Sequence, residues 1–162
     1  MCWYSKKEPI KKVAENDVPC FKVVQLNDDG SLVSVYYGKV YKPRRTYKHK
    51  NIMPKKIVYK SFNEYRIREG LHSYATDVEI ITGIQSFVME YGLVKVGRIP
   101  LWFSNNYKFA KVNCIIPKGA EYYENEQGEY VSTKLKVIGY EELDIEVPKS
   151  DFDESKIFVV YN

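Results

Sequence analysis

Within the 162-residue chain, the stretch with the most chemistry in it is Arg68-Glu69-Gly70-Leu71-His72-Ser73-Tyr74. An imidazole beside serine and tyrosine hydroxyls can hold a ligand's hydroxyls, and a helix starting just after it would offer free amides to a phosphate. Arg68, His72, Ser73 and Tyr74 are therefore candidate ligand-binding residues. A cap or hydrogen bond made by His72 at a strand-to-helix corner would account for the same residues without a ligand. A second stretch runs from Cys114 to Asn125 and on to Ser132. Pro117-Lys118-Gly119 makes a sharp exit from a strand, and Asn125 and Gly128 bracket another turn. Glu129 then opens a strand from which its carboxylate can face a pocket. Lys118, Tyr123, Asn125 and Glu129 join the candidates, against the plainer alternative of two turns and a solvated acid.

No stretch carries a self-sufficient catalytic or metal-binding motif, so no cofactor and no metal is expected. Cys2, Cys20 and Cys114 are odd in number and widely spaced, and His49 and His72 are the only histidines. That is neither a disulfide framework nor a zinc site, and it suits a reducing cytoplasm. Cys114 sits among apolar residues and reads as packed rather than reactive. The N-terminal residues lack the apolar region of a signal peptide, and no run approaches the roughly 20 apolar residues of a membrane span.

The elements that must position these residues read mostly as strands. Strand patterns cover 18–24, 32–37, 56–62, 93–96, 100–103, 107–116, 129–138, 143–147 and 157–161. Asn27-Asp28-Asp29-Gly30 is a hairpin turn, and the proline-bounded basic stretch 43–54 reads as an exposed loop. Thr76-Asp77-Val78-Glu79 forms a capping box, followed by Val78, Ile81, Ile84, Val88 and Tyr91 on one helical face and Gly92 as a stop. The expected class is α+β: a mostly antiparallel sheet or partly open barrel with one central helix over about 76–91. One domain spans 1–162, with an N-terminal arm at 1–17, a core at 18–147, and a C-terminal tail or edge strand at 148–162. At 44% hydrophobic, the chain can bury a real core, and its 15 tyrosines suit half-buried pleated surfaces.

Charge is distributed unevenly. From Lys39 to Arg68 eleven Lys and Arg face one acid, Glu64, for a net +10. From Glu121 to Glu154 eleven acids face three lysines, for a net −8. Such asymmetry marks a basic face for an anionic partner unless the two segments meet and neutralise each other. Tyr36, Tyr37, Tyr41, Tyr47, Tyr59 and Tyr65 interleave the cations, a composition compatible with nucleic-acid binding, although no recognised nucleic-acid motif accompanies it.

Phe21-Lys22-Val23, Glu69-Gly70-Leu71-His72-Ser73-Tyr74 and Cys114-Ile115-Ile116-Pro117-Lys118-Gly119, with Tyr122-Tyr123 and Ser132, resemble a group of small proteins encoded by gut Bacteroidales and their phages. The resemblance spans roughly residues 18–138 and brings no activity with it. It implies a phage or mobile-element accessory protein in the bacterial cytoplasm. His72-Ser73-Tyr74, with Ile116-Pro117-Lys118 and Glu129 downstream, is also similar to the plan of diphtheria-toxin-type ADP-ribosyltransferases. That likeness implies NAD-dependent ADP-ribosyl transfer with His72 and Glu129 in one cleft. Ser73-Tyr74 replaces the Gly-Thr of that plan, and its nicotinamide-stacking tyrosine has no counterpart. The leading expectation is a non-catalytic binding protein for a small anionic, nucleotide-like ligand or a protein partner. An ADP-ribosyltransferase-like enzyme and a nucleic-acid-binding protein using residues 36–68 are the alternatives.

Overall fold

The computed structural model describes residues 3–34, 39–59, 62–76, 94–96, 99–100, 108–143 and 158–160. In chain order the first strands are β1 (Trp3–Ser5), β2 (Lys12–Val13), β3 (Val18–Leu26), β4 (Leu32–Val33), β5 (Val40–Tyr41) and β6 (Thr46–Lys48). They are followed by β7 (Lys55–Tyr59), β8 (Phe62–Ile67), β9 (Leu71–Tyr74), β10 (Val94–Val96) and β11 (Ile99–Pro100). The last five are β12 (Lys108–Ile116), β13 (Glu121–Glu124), β14 (Glu129–Ser132), β15 (Lys134–Leu143) and β16 (Phe158–Val160).

The expected α+β class is thereby corrected. About 60% of the described residues are strand, none is helical, and the pairing is mostly antiparallel. The helix expected over 76–91 lies outside the described residues apart from Thr76, which is not helical. Two further local expectations give way to pairing. Leu71–Tyr74, read as a corner, alternates buried and half-buried side chains and forms a ladder with β14. The stretch 43–54, read as a loop, contains β6, because Thr46-Tyr47-Lys48 finds Lys134–Lys136 as an antiparallel partner. The expected arm 1–17 supplies β1 and β2. No helix among the described residues is long and apolar enough to cross a membrane.

The chain falls into two compact units. The first comprises Met1–Lys22, Pro43–Thr76 and Asn113–Gly139. In it a small antiparallel sheet, ordered β1-β8-β7, is set by Trp3 opposite Ile67 and Ser5 opposite Tyr65. Its larger ladder follows the order β2-β13-β14-β9-β3-β12-β15-β6, to which β3, β12 and β15 contribute residues 18–22, 113–116 and 134–139 in this unit. Opposed residues of an antiparallel ladder project to the same face. The pairs Tyr123–Val131 and Val131–His72 therefore set one face, and Trp3, Ile52 and Ile67 pack on it. Trp3 is wholly buried, its indole meets Tyr123 edge-on at 6.3 Å, and its N–H donates to the Glu129 carbonyl at 2.9 Å. The other face of the same strands buries Cys20, Leu71, Ser73 and Ser132.

The second unit comprises Val23–Lys42, Asp77–Val112 and Tyr140–Asn162. Its β3–β4 hairpin turns at Asn27–Gly30 as the Asp-Gly signal predicts, with Gly30 at φ 81° and its amide bonded to the Asn27 carbonyl. Leu32, Tyr41, Phe109 and Val112 are among its buried side chains. β10 pairs antiparallel with β11 and parallel with β16.

Two backbone positions in the first unit have opposite relations to their residue type. Gly70, at φ 134°, leads into β9 so close to the core that a Cβ there would lie 2.5 Å from Val131 Cγ2 and 2.7 Å from Ile52 Cγ2. Among the described residues Arg44 is the non-glycine residue with positive φ, 64°. Its amide donates to the Val137 carbonyl while the Val137 amide donates to the Arg45 carbonyl. That is a bulge in which two residues face one, with the first in the left-handed region normally given to glycine.

Gly70→Ala is expected to lower unfolding stability by roughly 2–4 kcal/mol through strain and overpacking together, read by urea denaturation. Arg44→Gly is expected to raise it by up to about 1 kcal/mol, the relief of strain exceeding the flexibility gained by the unfolded chain. A fall in the melting temperature of that variant would contradict the assignment of strain.

Candidate functional site

The register distributes the expected site residues rather than gathering them round a cleft. Tyr74 stands opposite Glu129 and His72 opposite Val131, so His72, Tyr74, Glu129 and Tyr123 share the face onto which Trp3, Ile52 and Ile67 pack. Ser73, opposite Tyr130, projects the other way and is buried, and its Oγ makes no hydrogen bond of ordinary geometry. Arg68 is exposed before β9, and its carbonyl bonds His72 Nε2 at 3.1 Å. Lys118 lies in the β12–β13 turn, where its amide donates to the Asp17 carboxylate at 2.9 Å. A groove among the described residues runs along Lys12, Asp17, Val18, Pro19 and Tyr122, and no expected site residue lines it.

Asn125 and Glu129 do come together, as the fastening of the β13–β14 hairpin. Asn125 Oδ1 accepts from the amides of Gln127 and Glu129, and its Nδ2 donates to the Tyr4 carbonyl and to Glu129 Oε1. This amide has spent its hydrogen-bonding capacity on the fold. Gly128, at φ 72°, takes the left-handed position of this turn.

His72 is likewise occupied. Burial, the main cause, lowers its pKa from 6.5 to about 4, and nearby Lys22 adds to the fall, while the bond to Arg68 opposes it. The Lys22 ammonium itself donates to the His72 carbonyl. At neutral pH the ring is uncharged, and with Nε2 protonated it donates to the Arg68 carbonyl across the Gly70 turn. Burial pushes the Cys20 thiol up to about 11, partly offset by the Ser73 hydroxyl, and the Cys114 thiol up to about 12. Such thiols are poor nucleophiles. Among the described residues no cluster of His, Cys, Asp or Glu is placed to hold a metal ion.

A different set of residues does converge. Along β6 and β15, Lys48 stands directly opposite Lys134, and Lys136 opposite Thr46, all four exposed on one face. Arg44 and Lys50 are exposed at the two ends of β6, and Arg45 stacks over the Tyr47 ring at 6.0 Å. None of Arg44, Arg45, Lys48, Lys50, Lys134 and Lys136 forms an ion pair among the described residues. Acids of the 121–154 segment pair elsewhere: Glu121 with Lys11, Glu124 with Lys12, and Glu142 with Lys108. Sequence reasoning missed this face because Lys134 and Lys136 sit inside a segment whose total is acidic. The alternation Lys134-Leu135-Lys136-Val137 was the available signal, since period two puts both lysines on one side.

The depressed His72 pKa makes a signed prediction. Between 6.5 and about 4 the unfolded chain binds a proton that the folded chain does not, so stability is full above about 6.5 and falls with pH through that window. The loss is expected to be about 1–2 kcal/mol after allowance for a ring that is only half-buried. NMR titration of the His72 ring should show it neutral at pH 5.5, and His72→Phe should flatten this part of the pH–stability curve. A ring titrating near 6.5 would refute it.

The chain matches no protein-family model, no curated protein and no solved structure.

Proposed function

We propose that this chain is a non-catalytic binding protein and that its partner is an anion seated on the basic face of β6 and β15. One observation carries the reading: Lys48 and Lys134 stand directly opposite each other with no acid bonded to either among the described residues. Like charges across an antiparallel pair cost some tenths of a kcal/mol. A bound polyanion reverses that cost. The strand at His72 offers less, since its imidazole already bonds the Arg68 carbonyl, Ser73 projects to the buried opposite face, and the His72 face is packed against Trp3. The bacterial cytoplasm, with a phage or mobile element as source, suits both the resemblance in sequence and the buried Cys20 and Cys114 thiols.

Heparin-affinity chromatography at neutral pH tests the reading. The wild-type chain should be retained and elute with salt, and the double variant K48E/K134E should elute much earlier while keeping its melting temperature. Flow-through of the wild type, or unchanged elution of the variant, would end it.

A further inference from the structure

We propose that the anion is double-stranded nucleic acid, gripped through its phosphate backbone without reading of the bases; this rests on the reading of the basic face given above. Three properties of that face select the partner.

The first is its composition. The outward side chains fixed by the β6–β15 register are Thr46, Lys48, Lys134 and Lys136. Protein interfaces are depleted of lysine and depend on buried aromatic or aliphatic anchors, whereas nucleic-acid interfaces are much more cationic. An acidic protein would find charge among these four and no buried anchor; the exposed Ile138 follows Lys136 on β15.

The second is its layout. Small ligands are held in concave sites by converging groups. Here the cations stand on an open ladder: Lys134 and Lys136 are two strand residues apart, about 6.8 Å, and Lys48 faces Lys134 across the strands. Cations spread over an open surface suit an extended polyanion, whose duplex form carries one charge per roughly 1.7 Å of axis.

The third is the placing of its aromatic residue. Single-strand binders stack bases on exposed rings beside their cations. Tyr47 stands opposite Leu135, which is wholly buried, so it projects to the other side of the ladder and lies under Arg45. Where β15 pairs with β6 the cationic face therefore offers phosphate contacts and no ring; the exposed ring of β15, Tyr140, lies four residues beyond Lys136. Arg44 adds an exposed cation at the entry to β6, in a left-handed bulge position where glycine would be unstrained, so a cation is present at the expense of backbone strain.

Fluorescence anisotropy with the full chain, a labelled 20-base-pair DNA duplex of arbitrary sequence, and the same single strand tests the proposal. The duplex should bind at least several-fold tighter than the single strand, and scrambling its sequence should change little. With five contacts, from Arg44, Lys48, Lys50, Lys134 and Lys136, log K should fall against log salt with a slope of about −4 to −5. K48E should weaken binding tenfold or more. R44G should weaken it several-fold and flatten the slope by about one unit, with a melting temperature no lower than that of the wild type. Tighter binding of the single strand, a sequence-dependent affinity, or duplex binding untouched by salt or K48E would overturn the proposal. Absence of duplex binding alongside heparin binding abolished by K48E/K134E would overturn it and leave the basic-face reading standing. If neither duplex nor heparin binds, both fall.

Discussion

The indole of Trp3 is fully enclosed, its N–H bonded to the Glu129 carbonyl and its edge set against Tyr123, and much of the first unit follows from that placement. The ring joins the short β1-β8-β7 sheet to the face carrying Tyr123 and Val131, together with Ile52 and Ile67. Truncating a buried ring of this size typically costs about 3–5 kcal/mol, a large share of the net stability open to a domain of this length. Its neighbours are constrained in turn. Residue 70 must lack a Cβ because Val131 and Ile52 have already filled that space. Asn125 must be an amide because it bridges the Tyr4 carbonyl, beside Trp3, to the hairpin that supplies the Glu129 carbonyl.

The same constraint explains why the expected site was only partly legible. His72, Tyr74, Tyr123 and Glu129 do reach one face, and the β13–β14 hairpin is where its turn residues placed it. What local sequence does not reveal is the partner on that face. Trp3 lies 126 residues from Glu129 in the chain, and no short-range pattern announces a contact of that span. The four-residue strand Leu71–Tyr74 is too short for periodicity to tell strand from turn, so its identity depends on the ladder that β14 offers. β6 fails in the same way: Pro43 and the dense cations signal a loop, and pairing with Lys134–Lys136 overrides them.

Charge totals over segments proved a coarse guide for a related reason. A sheet sorts residues by parity, not by segment, so Lys134 and Lys136 face outward beside Lys48 while Leu135 and Val137 between them are wholly buried. The segment total for 121–154 averages over that alternation. The ion pairs that do form bring acids of 121–142 to Lys11, Lys12 and Lys108, leaving the β6–β15 cations uncompensated among the described residues. Exposed pairs of this kind stabilise little. Their significance lies in where they leave the charge, which is concentrated on one edge of the sheet.

Two turns of the first unit show that this concentration is separable from the needs of the fold. At the β13–β14 hairpin, Gly128 donates to Asn125 while Asn125 donates to Glu129, and the left-handed residue is glycine. At the entry to β6, Arg44 donates to Val137 while Val137 donates to Arg45, and the left-handed residue is arginine. Both turns close with a pair of backbone bonds, so backbone geometry alone gives no reason for the difference. Glycine would relieve the second turn, and a Lys48 or Lys134 of opposite charge would relieve the pair beside it. Both departures from the stable choice add positive charge to the same edge, and neither closes an ion pair among the described residues. A feature that weakens the fold locally, twice and with the same sign, is not explained by the needs of the fold, and it is on this that the proposal of an anionic partner rests.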